Sequence, residues 1–416
     1  MDIGGEITMP AGRISIPLDV AADILCSLPA KSVLRFKAVS KAWCSLIDSP
    51  DFARFHLSAS IDVPMLVIVT NQRSSDVDNP GVVLSADFYS LDDVEVDDDD
   101  GDGGASSRLR QVRPRSYPFK PRKAGTHALG SSCSGILAFG SYGGDLDFWN
   151  PTTNRCYSTS LLDFDPSGYP EFMGLQPRST TVFYQDTNTC SSSCSHDHQY
   201  KLVQKVVQQP HGGGSICEFQ SYNLEANGFT TFHTLPDDSA GGHLLCEHVS
   251  GCSTCCFVNG ALHWLAPASN YDGDRGQYVI VALHLGTLER YKLPLPVGLK
   301  YRYRAILRIL GGSLCATFSN YGNEGRYGID VWVMKEYGGD WTKLLNFTTS
   351  HKDHNWVYPI AYSQSRDKVL LHFRDPYENL QWYHLKPEKL IPIKIPGAPK
   401  FFQPMLCLPT LVNYRS

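Results

Sequence analysis

The sequence predicts an α+β protein, with a small helical domain at its N-terminus and a large all-β domain after it. Three observations predict this. Residues 14–60 are poor in glycine and rich in Leu, Ala and Lys, with apolar residues at spacings of three and four, as in an amphipathic helix. The rest of the chain is rich in Gly, Pro, Tyr, Trp and β-branched residues, in short apolar runs between turn signals. One short pattern then recurs along this second region, which indicates repeated small sheets.

The composition limits the classes of protein to consider. A chain of 416 residues with 42% hydrophobic residues can form two or three domains with buried cores. Its net charge of −5 is too close to balance to favour nucleic-acid binding. No apolar run is long enough to span a membrane, and residues 1–13 form a flexible segment without the features of an export signal. We therefore expect a protein of the cytoplasm or nucleus, with its 13 cysteines mostly reduced.

Four short helices are predicted in the N-terminal region. Pro17 and Pro29 each suit a first helical turn, where a missing N–H group costs nothing. Ser40 is a good N-cap for a third helix, and Ser49-Pro50 repeats the start signal for a fourth. Together these helices carry more apolar residues than one small core can hide. Either a partner protein covers the excess, or the helices pack as a cap on the second domain.

The helical region contains apolar and aromatic landmarks in a fixed order, namely Ile16-Pro17, Ile24-Leu25, Leu28-Pro29, Ser32, Leu34-Arg35-Phe36, Val39-Ser40-Lys41, Trp43 and Leu46-Ile47. Their order and spacing make residues 14–57 resemble an F-box, in the version found at the N-terminus of a large plant family. The sequence departs slightly from that pattern at Ala22 and Ala38, which should not affect the fold.

The resemblance implies a partner for this domain. It implies docking on a Skp-type adaptor and, through that adaptor, on a cullin-based ubiquitin ligase. We expect the docking residues to divide between holding the helices together and filling adaptor grooves, with Pro17, Leu18 and Leu28-Pro29 at the interface. The adaptor-binding residues that the resemblance implies are Pro17, Leu18, Ile24, Leu25, Leu28, Pro29, Leu34, Phe36, Val39, Ser40 and Trp43.

A repeated β unit is predicted in the second region. A unit of ~50 residues with a few short strands is typical of one blade of a β-propeller, and we expect about six blades. A two-sheet β-sandwich is the alternative. An aromatic or apolar residue at the same place in each unit is expected to pack between blades rather than to contact a ligand. The equivalent positions are Tyr89, Trp149, Tyr222, Leu283, Trp332 and Tyr383, and glycine-led strands such as Gly135–Phe139, Gly260–Trp264 and Gly312–Ala316 precede three of them.

Four further motifs carry a second resemblance, namely Ser132-Cys133-Ser134-Gly135, Trp149-Asn150-Pro151-Thr152-Thr153, Phe257–Trp264 and Ile329–Met334. They resemble the F-box-associated domain that follows the F-box in the same plant family, and we assign that domain to residues 61–412. The apolar segment 401–412 is expected to supply a strand that pairs beside Met65–Val69 and closes the ring, because a closed ring leaves no sheet edge exposed. Pro404 and Pro409 should limit this strand, since neither donates a backbone hydrogen bond.

The candidate metal-binding clusters have unfavourable spacing. Neither cysteine–histidine cluster has the spacing of a zinc finger, and the acidic run near residue 100 lacks the last ligand of a calcium loop. We therefore expect no metal and no cofactor, and we interpret residues 92–123 as a solvated, disordered loop. The clusters are Cys190, Cys194, His196 and His198, and then Cys246, His248, Cys252, Cys255 and Cys256.

The functional hypothesis is a substrate receptor that catalyses nothing itself. The sequence contains neither a nucleophile elbow nor a phosphate-binding glycine loop. The helical domain would dock on the adaptor, and the β domain would bind a protein substrate that the sequence does not identify. Two alternatives stay open. One is a propeller-fold enzyme with the helices as a cap, and the other is an adaptor-bound scaffold that does not lead to degradation.

Overall fold

The computed structural model describes most of the helical domain and the strands of the β domain. The described residues are 16–59, 62–73, 82–97, 106–115, 118–119, 126–128, 132–141, 145–160, 180–186, 199–208, 216–223, 228–236, 255–267, 278–296, 303–321, 327–349, 356–374, 379–395 and 400–413. Four helices come first in this part of the chain: α1 Leu18–Cys26, α2 Ala30–Phe36, α3 Lys41–Asp48 and α4 Pro50–Ala59.

The helix starts follow the predicted signals. Pro17 and Pro29 lie directly before the first residue of α1 and α2, and the Asp62 carboxylate accepts a hydrogen bond of 2.8 Å from Ala30 N. Ser40 caps α3, since its Oγ accepts a hydrogen bond from Trp43 N at 3.1 Å. Ser49 Oγ accepts from Phe52 N in the same way at the start of α4. Each side-chain acceptor satisfies a backbone donor that has no partner inside its helix.

The β domain follows without further helices in the described residues. Its strands are β1 Met65–Arg73, β2 Val82–Asp97, β3 Ser106–Arg115, β4 Thr126–Ala128, β5 Leu137–Ser141, β6 Asp145–Asn150, β7 Arg155–Ser160, β8 Thr180–Asp186, β9 Gln199–Gln208, β10 Ile216–Asn223, β11 Gly228–Pro236, β12 Cys256–Val258, β13 Ala261–Pro267, β14 Tyr278–His284, β15 Arg290–Leu293, β16 Tyr303–Leu310, β17 Ser313–Tyr321, β18 Tyr327–Met334, β19 Trp341–Thr349, β20 Val357–Tyr362, β21 Lys368–Phe373, β22 Asn379–His384, β23 Lys389–Lys394 and β24 Gln403–Cys407.

The strands form a β-propeller of five hydrogen-bonded sheets, which corrects the expected count of about six. Four sheets have four strands each, in the orders β4-β5-β6-β7, β11-β10-β9-β8, β12-β13-β14-β15 and β16-β17-β18-β19. The fifth has eight strands, in the order β20-β21-β22-β23-β3-β2-β1-β24. A short parallel pairing, Ile393 with Ser107 and Lys394 with Arg108, joins its two halves. Counting repeats along the sequence could not reveal this contact, because it joins the outer strands of neighbouring units.

The six repeated positions occupy equivalent strands. Counted from the inner strand of each group of four, they fall on the third strand: β2, β6, β10, β14, β18 and β22. Tyr89, Trp149, Leu283 and Tyr383 are buried, and Trp332 is half-buried. Trp149 packs edge-on against Phe88 of the neighbouring sheet at 5.7 Å between ring centroids. Packing between sheets is therefore confirmed for Trp149, Leu283 and Tyr383, whereas the side chain of Tyr222 lies outside the described part.

The ring closes through the C-terminal strand, as predicted. β24 pairs antiparallel with β1, from Met65 opposite Cys407 to Val69 opposite Gln403. The position of one proline is corrected, since Pro404 lies inside β24 opposite Ile68 instead of limiting it. β24 is at an edge of the eight-stranded sheet, where a residue without an N–H group leaves no ladder bond unmade.

The segment 92–123, expected as a loop, contains parts of two strands. Residues 92–97 complete β2, and residues 106–115 form β3. The two strands pair antiparallel, with Glu95 opposite Arg108 in the register. Residues 98–105, which include the calcium-like motif, lie outside the described residues.

Candidate functional site

Exposed apolar side chains concentrate on the helical domain. Among the described residues, every exposed large hydrophobic side chain except Leu288 and Phe401 belongs to residues 16–55. The exposed fraction is 48% for Leu18, 49% for Ile24 and 59% for Val39. Soluble proteins rarely expose contiguous apolar patches unless those patches bind something.

The residues predicted to bind the adaptor divide by exposure. Leu25 is 1% exposed and belongs to the core that holds the helices together. Leu28, Leu34 and Trp43 are half-buried and pack against the same core. The exposed members are Pro17, Leu18, Ile24, Pro29, Phe36, Val39 and Ser40.

Three exposed apolar residues were missing from the predicted set. Ile16, Val20 and Phe55 expose 44%, 44% and 48% of their side chains. In the sequence Ile16 is only a landmark of the F-box pattern, and neither Val20 nor Phe55 is among those landmarks. Helical spacing places a residue on a face, but it does not tell which face the neighbouring domain covers.

The opposite side of the helical domain packs on the β domain. One apolar cluster contains Leu25, Val33 and Phe52 of the helices together with Phe148 of β6 and Leu411 near the C-terminus. The helices therefore form the cap that the sequence left open as an alternative, and they still leave several apolar side chains exposed. A hydrogen bond of 2.8 Å between His56 Nε2 and Leu28 O fixes α4 against the turn after α1.

The C-terminal segment 408–413 is clamped between the two domains. Asn150 is 2% exposed, and its Nδ2 donates to Thr410 O at 3.1 Å and to Val412 O at 2.6 Å. Its Oδ1 accepts from Thr152 N at 2.8 Å. The same side chain thus shapes the turn after β6 and binds the segment that carries Leu411, which packs on the helices.

A second motif holds the same segment from another side. Thr410 Oγ1 donates to Ser134 O at 2.8 Å. Gly135 has a φ of +78°, and a Cβ atom there would lie 2.4 Å from Leu408 O. A glycine is required here both by the backbone conformation and by the close approach of the segment. The motifs Ser132–Gly135 and Trp149–Thr153 therefore connect the β domain to the C-terminal segment and hence to the helices.

An ion-pair cluster joins the domains at the surface. Asp48 Oδ1 of α3 lies 2.6 Å from Lys37 Nζ and 3.3 Å from Arg155 Nη2 of β7. The hydrogen bond from Lys37 holds the pKa of the Asp48 carboxyl below its usual range, and the charge of Arg155 adds to this effect. Such half-exposed pairs contribute orientation more than stability.

The titratable groups of the β domain that are buried serve its packing. Burial lowers the pKa of His263 to about 4, so the ring is neutral. Its Nδ1 donates to Cys256 O at 3.2 Å, and its Nε2 accepts from Tyr337 Oη at 2.6 Å. Tyr337 also bonds Tyr291, so this chain of groups joins two neighbouring sheets.

No cluster of three or more metal-ligating side chains occurs among the described residues. The cysteines whose side chains the structure describes are free thiols, and the reduced state of the whole set stays a prediction. Cys256 is buried, and burial raises its pKa to about 12. The first predicted cluster, Cys190 to His198, and the beginning of the second, Cys246 to Cys252, lie outside the described residues.

The fold and the site define a helical domain with exposed apolar side chains, seated on a β-propeller. Residues 14–55 match the family model of the F-box domain, so the chain carries an F-box at its N-terminus. No helix in the described part of the chain is long and apolar enough to cross a membrane.

Several plant proteins are similar to this chain. The F-box protein CPR1 of Arabidopsis thaliana is 26% identical over 411 residues, which cover 96% of this chain and 89% of that protein. The F-box/kelch-repeat protein At3g23880 of the same plant is 24% identical, over 80% of this chain and 79% of that protein. Among solved structures, YjhT aligns with 79% of this chain and 97% of its own at 11% identity and a TM-score of 0.36, a likeness from which nothing further follows.

Proposed function

We propose that this chain is the substrate receptor of a Skp–cullin–F-box ubiquitin ligase. The helical domain docks on the Skp-type adaptor, and the β domain binds the protein substrate. The chain catalyses no step of the transfer. Its contribution is to hold the substrate close to the ubiquitin-charged enzyme, which makes the transfer effectively intramolecular.

The apolar face of the helical domain carries this proposal. Leu18, Ile24 and Val39 lie within the residues that match the F-box, and each exposes about half of its side chain. Covering them would contribute on the order of 1 kcal/mol for each half-exposed side chain. Since the other side of the helices already packs on the β domain, the exposed face is the side available to a partner.

The clamp on the C-terminal segment supports a rigid receptor. Asn150 and Thr410 connect the β domain to a segment that packs on the helices, and Asp48 of α3 pairs with Arg155 of β7. A substrate bound to the β domain would therefore keep a fixed position relative to the adaptor. Fixed geometry increases the effective concentration of the two reacting groups.

Co-purification of the full-length chain with a Skp-type adaptor tests the proposal. The double variant Leu18→Ser and Val39→Ser should lose the adaptor while its melting temperature stays near that of the wild type, because both side chains are exposed. Leu288→Ser is the matched control, since Leu288 is an exposed leucine of the β domain. Adaptor binding that survives the double change, or that is lost equally in the control, would contradict the proposed docking face.

A second measurement separates the ligase receptor from the non-degradative scaffold. A protein that co-purifies with the wild-type chain is added to a reconstituted ligase that contains the adaptor and the cullin. The receptor should promote ubiquitin transfer to that protein, and the double variant should not. Binding without any transfer would favour the scaffold.

A further inference from the structure

An arginine lies beside the axis of the β domain. Arg308 is on β16, the first strand of its sheet. The inner strands contact one another around the ring. β12 contacts β16, β16 contacts β20, and β20 contacts β24, the last two being the two edge strands of the eight-stranded sheet. The innermost strands of a propeller surround its central channel, so Arg308 belongs to the wall of that channel.

The guanidinium of Arg308 has a fixed position. Its Cζ lies 4.7 Å from the ring centroid of Tyr358, on the neighbouring first strand β20. Tyr358 itself is held in a buried aromatic stack, at 5.6 Å from His372, which lies 5.8 Å from Phe402. An arginine stacked on an immobile ring has lost most of its rotamer freedom, so binding a ligand costs it little additional entropy.

The positive charge of Arg308 is not neutralised by the described residues. Its Nε is buried without a hydrogen-bond acceptor, and none of the described ion pairs involves it. By sequence, the strands β12, β16, β20 and β24 contain no Asp or Glu, and their charged residues are Arg304 and Arg308. The charge also reaches β12, since Arg308 opposes the rise that burial causes in the pKa of Cys256.

Two other stacked cations of the domain differ in this respect. Lys343 lies over the Trp332 ring and also pairs with Asp330 at 3.0 Å. Arg366 lies over the Tyr362 ring, but at an exposed turn where water solvates its charge. Arg308 combines partial burial, an aromatic support and no carboxylate partner in the described residues. A partly desolvated guanidinium of this kind gains most from a bidentate anion.

We propose that Arg308 forms an anion-binding site at the axis of the β domain, which takes a phosphate or carboxylate group of the protein substrate. The identity of the ligand as a substrate rests on the proposed function, whereas the anion site itself does not. The planar fork of five N–H donors matches the oxygens of either group. A phosphorylated side chain and an acidic side chain are the two sources of this chemistry.

Anion titration of the purified full-length chain tests the site. Inorganic phosphate and acetate are added separately at constant ionic strength, and binding is measured by calorimetry and by the shift in melting temperature. Phosphate stabilises many proteins without binding at a specific site. Only the part of the response that saturates with anion concentration is therefore compared among the variants. Arg308→Gln should weaken the affinity by about tenfold or more. Arg308→Lys keeps the positive charge but loses the planar guanidinium. Its anion affinity should lie between those of the wild type and Arg308→Gln.

Arg366→Gln is the matched control, since it removes a stacked arginine outside the channel, and it should bind phosphate like the wild type. Preference for phosphate over acetate would assign a phosphorylated substrate, and equal binding would assign an acidic one. No saturable binding of either anion, or equal binding in wild type and Arg308→Gln, would overturn the site. If Arg308→Gln does not fold, the same comparison is made with Arg308→Lys, whose unchanged affinity would also overturn it.

The adaptor is followed in the same preparations. Loss of the site with normal adaptor co-purification would contradict this inference alone. Failure of the wild-type chain to bind an adaptor would contradict the proposed function and leave the anion site standing.

Discussion

The helical domain and the β domain place their apolar side chains in opposite ways. The β domain buries many of its large aromatics, with Trp149, Phe88 and Trp382 at 2% exposure or less. The helical domain leaves Leu18, Ile24 and Val39 about half exposed. Both domains have enough apolar residues for a core, so composition does not explain the difference. In the closed ring, neighbouring sheets bury one another's apolar side chains. The four short helices bury one side on the propeller, and the apolar side chains that remain exposed need a partner.

The largest effect is expected from removing the strand that closes the ring. Deletion of residues 400–416 removes β24 from beside β1 and the segment held by Asn150. The melting temperature of the whole chain should fall by more than about 10 °C, as measured by calorimetry. A chain that ends at Asn413 is the control and keeps these contacts. If the deletion frayed only the neighbouring strand and left the melting temperature almost unchanged, the stability of the two domains would not depend on closure of the ring by β24.

A pair of substitutions tests the contrast between the domains directly. Trp149→Ala in the β domain should cost about 3–5 kcal/mol of stability, because the side chain is fully buried. Phe55→Ala in the helical domain should change the stability by less than about 1 kcal/mol, because its side chain is 48% exposed. Denaturant unfolding of both variants measures the two costs. Similar costs at the two positions would remove the basis of the comparison.

The stability of the β domain should also depend on pH through His263. Its folded pKa of about 4 lies below the ordinary value of 6.5, so the unfolded state binds more protons between these values. The stabilising contribution is therefore present above pH 6.5 and is lost as the pH falls toward 4, by up to about 3 kcal/mol. Urea unfolding across this range measures it. His263→Gln should weaken the pH dependence, and an unchanged profile in that variant would assign it to other groups.

The smallest effect concerns the glycine that touches the C-terminal segment. Gly135→Ala and Gly312→Ala both place a side chain at positive φ, +78° and +85°. Only the first would bring a Cβ atom against Leu408 O, at 2.4 Å, whereas nothing lies within 4 Å of the second. Gly135→Ala should therefore be less stable than Gly312→Ala by about 1–3 kcal/mol. Equal melting temperatures for the two variants would argue against a tight clamp.

The sequence by itself determined the local elements and the order of the domains. The signals at Pro17, Pro29 and Ser40 mark real helix starts, because capping depends on residues three or four positions apart. The repeated positions fall on equivalent strands, since alternating apolar patterns report a local period. The pairing of segment 401–412 with β1 also followed from the sequence. A closed ring needs a last strand, and this segment is an apolar stretch left over after the sixth repeated unit.

The tertiary structure decided which surfaces face solvent and which distant groups meet. Leu18 and Leu25 both belong to the adaptor-binding residues that the resemblance implies, yet Leu25 is buried and Leu18 is exposed, because packing on the β domain covers only part of the helices. The bond from Asn150 to Val412 spans 262 residues, and the Arg308–Tyr358 stack joins two sheets. Periodicity reports the neighbours along one helix or strand, whereas these contacts depend on how the closed ring and the helices are placed in space.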